Sequence, residues 1–274
     1  LQRLYNLSDD QTEYQINDRM SFMRFLGINL CEKVPDAKTI WKFKNDLAET
    51  KTVNTLFCMF DEYLEKEGLI SHKGTIVDAT FVDAPRQRNS RDENKKIKNG
   101  EIPEEWEKPE NKIKLAQKDI DADWTKKNGE RHFGYKDHVK CDADSKLITN
   151  YSVTSASVHD SQRCLVFIGQ EDEVLYADSA YSGKPIALAL PENCKNQICE
   201  KGYRNSPLTS EQKMNNRRKS RIRCRIEHIF GFMTGAMHGI TIRSIGITRA
   251  WMNIGITNLV YNFCRYSYLK RASA

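Results

Sequence analysis

Residues 74–85, GTIVDATFVDAP, constrain this chain more than any other stretch. β-Branched and aromatic residues crowd between Gly74 and Pro85, which reads as a strand. Asp78 sits in it among Ile76, Val77 and Ala79. An acid with apolar strand neighbours is costly to bury unless something pairs with it. The chain therefore has to form a sheet and to supply Asp78 with a partner.

Around that strand the texture changes. Residues 8–67 read as helical. Ser8 and Gln11 make a capping-box pattern, and Tyr14, Met20, Met23 and Leu26 follow at helical spacing. Pro35-Asp36 opens a second helix with Ile40, Phe43 and Leu47 on one stripe, and a third runs from about Val53 to Gly68. Residues 86–131 hold 13 basic and 11 acidic side chains among 46. That is too polar for a core of its own, and the segment reads as a long charged insertion, partly disordered.

Beyond the insertion, 133–160 reads as an antiparallel hairpin around the turn DADSK. SQRCLVFIG follows as a helix, 172–183 as a strand ending at Asp178 and a Ser/Gly turn, and PIALALPE as a short helix. Residues 196–202 read as a short strand. Residues 210–233 read as one long helix with Ile222, Ile226, Ile229 and Met233 on its stripe, and a last amphipathic helix lies in RAWMNIGITNLVYNFCRYSYLK. Strands and helices mixed around one sheet give an α/β class. The chain divides into an N-terminal helical region, 1–72, for DNA binding or dimerisation, and a domain over 73–274 that carries the insertion.

Charge narrows the function. The net charge is +6, but residues 201–274 hold 14 Lys and Arg against Glu211 and Glu227, a local balance of +12. Such polarity suits a polyanion, although a solvated basic face would look the same. No run of about 18 apolar residues exists, so a spanning helix is excluded, and no secretory signal pattern is present. Eight cysteines form no C-x-x-C pair, which argues against zinc and for reduced thiols.

Asp78, Asp178 and Glu227 share one property: each stands in or beside an apolar or basic element. If the two strands are neighbours and the helix packs over their edge, the three carboxylates converge and repel unless a hard divalent cation binds between them. The alternative is local: Asp78 capping a turn, Asp178 in an Asx-turn before Ser179, and Glu227 paired with Arg223 four residues earlier. Spacing alone leaves both open.

Ten blocks carry a resemblance. They are LYNLSDDQTEYQINDRMSFMRFLG (4–27), PDAKTIWKFK (35–44), IVDATFVDAPRQRN (76–89), QKDIDADWTKKN (117–128), GYKDH (134–138), VTSASVHDSQ (153–162), VLYADSAYSG (174–183), KGYRNSPLT (201–209), RIRCRIEHIFGFM (221–233) and IGITNLVYNFCR (254–265). In this text the chain resembles the DDE transposases of bacterial insertion sequences, specifically the insertion-sequence-five family.

The resemblance implies a ribonuclease H-like mixed sheet flanked by helices. It places the catalytic, metal-holding acids on Asp78, Asp178 and Glu227, and the signature arginine on Arg223. Ser220 stands at the signature tyrosine, and Met233 and Thr234 stand where a lysine often follows. Two Mg²⁺ ions are implied, with Mn²⁺ able to substitute, and so is cleavage at transposon ends followed by strand transfer. The implied partners are terminal inverted repeats and target DNA, bound by a homodimer, with no membrane. The implied location is the bacterial cytoplasm, at the nucleoid.

Expected DNA contacts are Arg217, Arg218, Lys219, Arg221, Arg223, Arg225, Lys127 and Lys136, with His138 nearby. Family members carry more helices before LYNLSDD, so a chain opening on Leu1 is expected to be a truncated copy. The rival readings are an inactive or domesticated DNA-binding copy and a nuclease of the same fold without strand transfer.

Overall fold

The computed structural model describes residues 1–127 and 129–273; Asn128, which ends the block 117–128, lies outside the described residues. Helix α1 (Asp9–Asp18) begins as the sequence expects. Ser8 Oγ accepts the Gln11 N–H at 3.1 Å, and the Gln11 side chain accepts the Ser8 N–H. The backbone turns extended at Arg19, α2 (Met20–Leu26) follows, and it ends on Gly27 in the left-handed region at φ 70°. Helix α3 (Ala37–Glu49) is capped by Asp36, and α4 (Thr52–Lys66) follows it. Ile16, Phe22, Met23 and Val34 form a small cluster of their own, but α4 packs elsewhere. Phe57 of α4 is buried in the main core, and Val53 packs with Met252.

Strand β1 (Thr75–Asp83) leads into the insertion, which holds α5 (Arg91–Lys98), α6 (Glu104–Glu107) and α7 (Lys112–Ala116). The expectation of partial disorder is corrected here, because Trp106 is fully buried and gathers charged side chains around it. Its Nε1 donates to Glu93 at 2.8 Å, and the Lys114 and Lys118 ammoniums lie 5.5 and 5.2 Å from the ring centroid. One aromatic ring can order a polar segment in this way, because lysine stems and cations both pack on it.

Next come β2 (Asp123–Lys127), β3 (Glu130–Asp142) and β4 (Ile148–Ser155), then α8 (Ser161–Phe167), β5 (Val174–Tyr176), α9 (Lys184–Ala189) and β6 (Lys195–Asn196). The chain closes with α10 (Ser210–Arg223), α11 (Glu227–Thr234) and α12 (Ile247–Ser273). The expected hairpin is β3–β4, and β2 adds a strand that the sequence pattern did not mark. The strand read up to Asp178 shrinks to three residues, the expected turn follows as a 3-10 turn over Ser179–Tyr181 capped by Asp178, and the strand read over 196–202 shrinks to Lys195–Asn196.

The sheet has six strands. β1 lies between β3, antiparallel to it, and β5, parallel to it; β6 continues parallel beyond β5, while β2 and β4 share the outer edge of β3. This is a mixed sheet flanked by helices, consistent with the expected ribonuclease H-like core. Ile76 and Val82 pack against Ile226, Ile229, Met233 and Ile254 on one face, and Val77 packs against Cys164, Phe167 and Ile186 on the other.

The expected single helix over 210–233 is broken by a 3-10 turn, Cys224–Ile226. The break has a packing cause. α10 buries nothing, whereas α11 buries Ile229, Phe230 and Met233. The tighter turn separates a helix that faces solvent from one that faces the core.

Candidate active site

β1 puts Asp78 opposite Val139 of β3, and the register of the parallel pair (Thr75 with Leu175, Ile76 with Tyr176) carries on to bring Asp178 level with Asp78. Glu227 opens α11, just past the 3-10 turn. All three line one cleft of about 390 Å³, together with Arg223, Lys127 and His132. The structure thus brings together three acids separated by 100 and 49 positions in the sequence.

Their oxygens are unequally held. Asp78 is 9% exposed; its Oδ1 accepts the Ala79 N–H at 2.8 Å and its Oδ2 accepts Arg223 Nη1 at 2.7 Å. Asp178 Oδ1 accepts the Ala180 N–H at 2.7 Å, which is the Asx-turn contact allowed by the sequence. The Glu227 side chain is 57% exposed and meets Arg223 Nη1 only at 3.6 Å. Burial first, and then the charges of Asp178 and Glu227, raise the Asp78 carboxyl to about 6 against the opposing pull of the Ala79 N–H and Arg223.

Three carboxylates with few donors and one tethered cation form an oxygen-only set suited to a hard divalent ion. The set is open. Among the described residues the tightest metal-ligating cluster is another one, His72, Glu171 and Asp172, whose ligand atoms lie within 4.8 Å of one another.

The basic candidates scatter. Lys127 is exposed at the cleft, with its ammonium 5.5 Å from the Phe81 ring centroid. Arg217, Arg218 and Arg221 are exposed along α10 and their side chains make no hydrogen bond or ion pair among the described residues; Arg217 and Arg221 line a neighbouring concavity with Lys213. Arg225 donates to Ala143 O and Asp144, and Lys219 donates to Ile198 O. Lys136, expected as a DNA contact, is instead buried, donating to Val158 O and Asp160. His138 is buried against Thr154, and burial pushes it down to about 4.

Sequence reasoning missed the parallel ring pair Phe81–His132 on the cleft wall, with centroids 4.3 Å apart. No periodicity flags it, because it depends on how β1 and β3 are paired. A second concavity, between α3, α4 and α12, is lined by Leu47, Val53, Trp251 and Met252 and holds no acid.

Comparison with known proteins adds two findings. A family model described as a transposase DDE domain matches residues 70–263, and one described as a transposase domain matches residues 1–46. No solved structure matches the chain. Among the described residues no helix is long and apolar enough to cross a membrane.

Proposed function

The chain belongs to the DDE transposases of insertion sequences, enzymes that cut DNA and transfer the cut strand, and on that premise we propose that Asp78, Asp178 and Glu227 carry the reaction. One observation supports this above all. Acids from three separate elements line a single cleft with oxygens short of donors. The matches do not favour a nuclease without strand transfer or a copy that only binds DNA.

Divalent metal use is general in this family, and we assign Mg²⁺ here, with Mn²⁺ as a substitute, because carboxylate oxygens suit both. When bound, two such ions supply an activated oxygen nucleophile and stabilise charge at phosphorus. The chain's own residues do the positioning. Asp78, fixed by the Ala79 N–H on a strand, would hold the ions together with Asp178 and Glu227.

Lys127, Arg217, Arg218 and Arg221 grip backbone phosphates, which makes affinity fall steeply with salt. Arg225, Lys219 and Lys136 add field more than contact, since each is spent on a protein partner. The DNA is the element's terminal inverted repeats and then the target. Residues 1–72 form a DNA-binding and dimerising region, 73–274 form the catalytic domain, and two copies pair the ends at the nucleoid.

The test uses a plasmid bearing the element's two ends. Asp78→Asn and Glu227→Gln each lower Mg²⁺-dependent cleavage by about a thousandfold, the scale of losing metal-borne stabilisation, and retain binding in a gel shift. Cleavage surviving either substitution overturns the assignment.

A further inference from the structure

A single guanidinium nitrogen stands between the first and last acids of the cleft. Arg223 Nη1 is 2.7 Å from Asp78 Oδ2 and 3.6 Å from Glu227 Oε1. The contact to Asp78 is a short, charge-assisted hydrogen bond in a partly buried setting, with side-chain exposures of 21% and 12%. Among the described residues no donor besides the Ala79 N–H and Arg223 reaches Asp78, Asp178 accepts only the Ala180 N–H, and the Glu227 carboxylate is largely exposed. Arg223 therefore fills, from within the chain, the electrostatic role that a divalent cation would fill.

We propose that Arg223 is a placeholder cation: it occupies the carboxylates while the metal is absent, and metal binding releases its guanidinium towards DNA phosphate. The inference rests on the assignment of the three acids as metal ligands. Its geometry favours a swing. Arg223 is the last residue of α10, at the 3-10 break. Arg221 and Arg217 stand two and six residues earlier on α10, round the helix from Arg223, and line a separate concavity with Lys213 and Asn216. A guanidinium leaving Asp78 stays on a helix that already presents exposed cations, and its planar fork binds a phosphate as well as it binds a carboxylate. The coupling is reciprocal. Phosphate that recruits Arg223 strengthens metal binding by the same factor by which metal strengthens DNA binding.

The decisive measurement is Mn²⁺ affinity of the full chain without DNA, read from the electron paramagnetic resonance of the free ion. R223Q removes the internal competitor and binds Mn²⁺ at least about tenfold more tightly than the wild type, the scale of a lost charge-assisted pair. R221Q removes the same charge from an exposed position and stays within about twofold, because solvent screens it. R223K, which keeps the charge but not the fork, falls between the two, and a cooperative thermal transition by circular dichroism shows that each variant is folded. Adding a 20-bp duplex, with Ca²⁺ titrated calorimetrically in place of Mn²⁺, raises metal affinity by a larger factor in the wild type than in R223Q.

Unchanged or weaker Mn²⁺ binding in R223Q, with wild-type binding abolished by D178N, overturns the placeholder and leaves the metal site standing. No Mn²⁺ binding in either the wild type or R223Q overturns the metal assignment itself, and the placeholder with it.

Discussion

The parallel strands β1 and β5 carry acids at both ends, and the two ends are built differently. Before the strands lie His72, Glu171 and Asp172 around Lys140; beyond or along them lie Asp78 and Asp178, with Glu227 and Arg223. At the first end Asp172 is saturated. It accepts the Thr75 hydroxyl at 2.6 Å, Lys140 at 2.9 Å and the Gly169 N–H at 2.9 Å, and its side chain is 2% exposed. At the second end Asp178 has one backbone donor, and Glu227 is turned to solvent. The tighter cluster is therefore the less available one, since any cation entering it has to displace a buried lysine. The number of acids does not make a site; the shortage of donors does. The open end is also the carboxyl end of the parallel strands, where α/β sheets bind ligands.

The largest expected effect tests the filled end. Asp172→Asn strips Lys140, 8% exposed, of its best partner and costs about 3 kcal/mol in denaturant unfolding, the scale for breaking a buried ion pair. Asp178→Asn costs less than about 1 kcal/mol, because it removes a repelling charge along with one turn contact. Equal losses at the two positions would erase the contrast.

Metal sharpens the same contrast from the other side. Mn²⁺ at about 100 times its dissociation constant stabilises the wild type by about 2.7 kcal/mol in a thermal melt. Asp178→Asn loses that gain, and His72→Ala keeps it. A gain lost only in His72→Ala would move the metal to the other end of the strands.

The contrast also explains what the sequence could and could not reveal. Asp78 was legible because an acid in a β-branched strand is costly to bury without a partner. The caps at Ser8 and Asp36 were legible because capping needs only neighbours in sequence. The convergence of Asp178 on Asp78 depends on a two-pair parallel register that leaves no periodic trace in three residues of strand. Arg223 and Glu227, read as one helix turn apart, straddle a 3-10 break that shows only in which residues are buried. Lys136 looked like Lys127 in composition, yet Lys136 stands in β3 between β1 and β4 and is buried against Asp160, while Lys127 ends the edge strand β2 at the cleft. Trp106 ordered a segment that charge content alone marks as loose, because one ring is invisible to an average over 46 residues.

The smallest effect probes whether the filled end is fully filled. Asp61 of α4 feels both Lys140 and Glu65, and its buried Oδ1 has no hydrogen-bond partner. Burial first, then Glu65, raises its carboxyl from the ordinary 3.8 to about 7, with Lys140 pulling the other way. A raised acid stabilises the fold below its ordinary value, and that stability is lost as the pH rises through about 7. Asp61→Asn does not titrate, so its melting temperature gains on the wild type between pH 4 and 8 and levels off above. Partial exposure limits the gain to about 1 kcal/mol, or about 2 °C for a chain of this size. A difference flat across that range would mean that Lys140 already neutralises Asp61 along with Glu171 and Asp172. One lysine would then be balancing three carboxylates at this end, where one arginine reaches two at the other, and saturation by hydroxyl and amide donors would separate the two further.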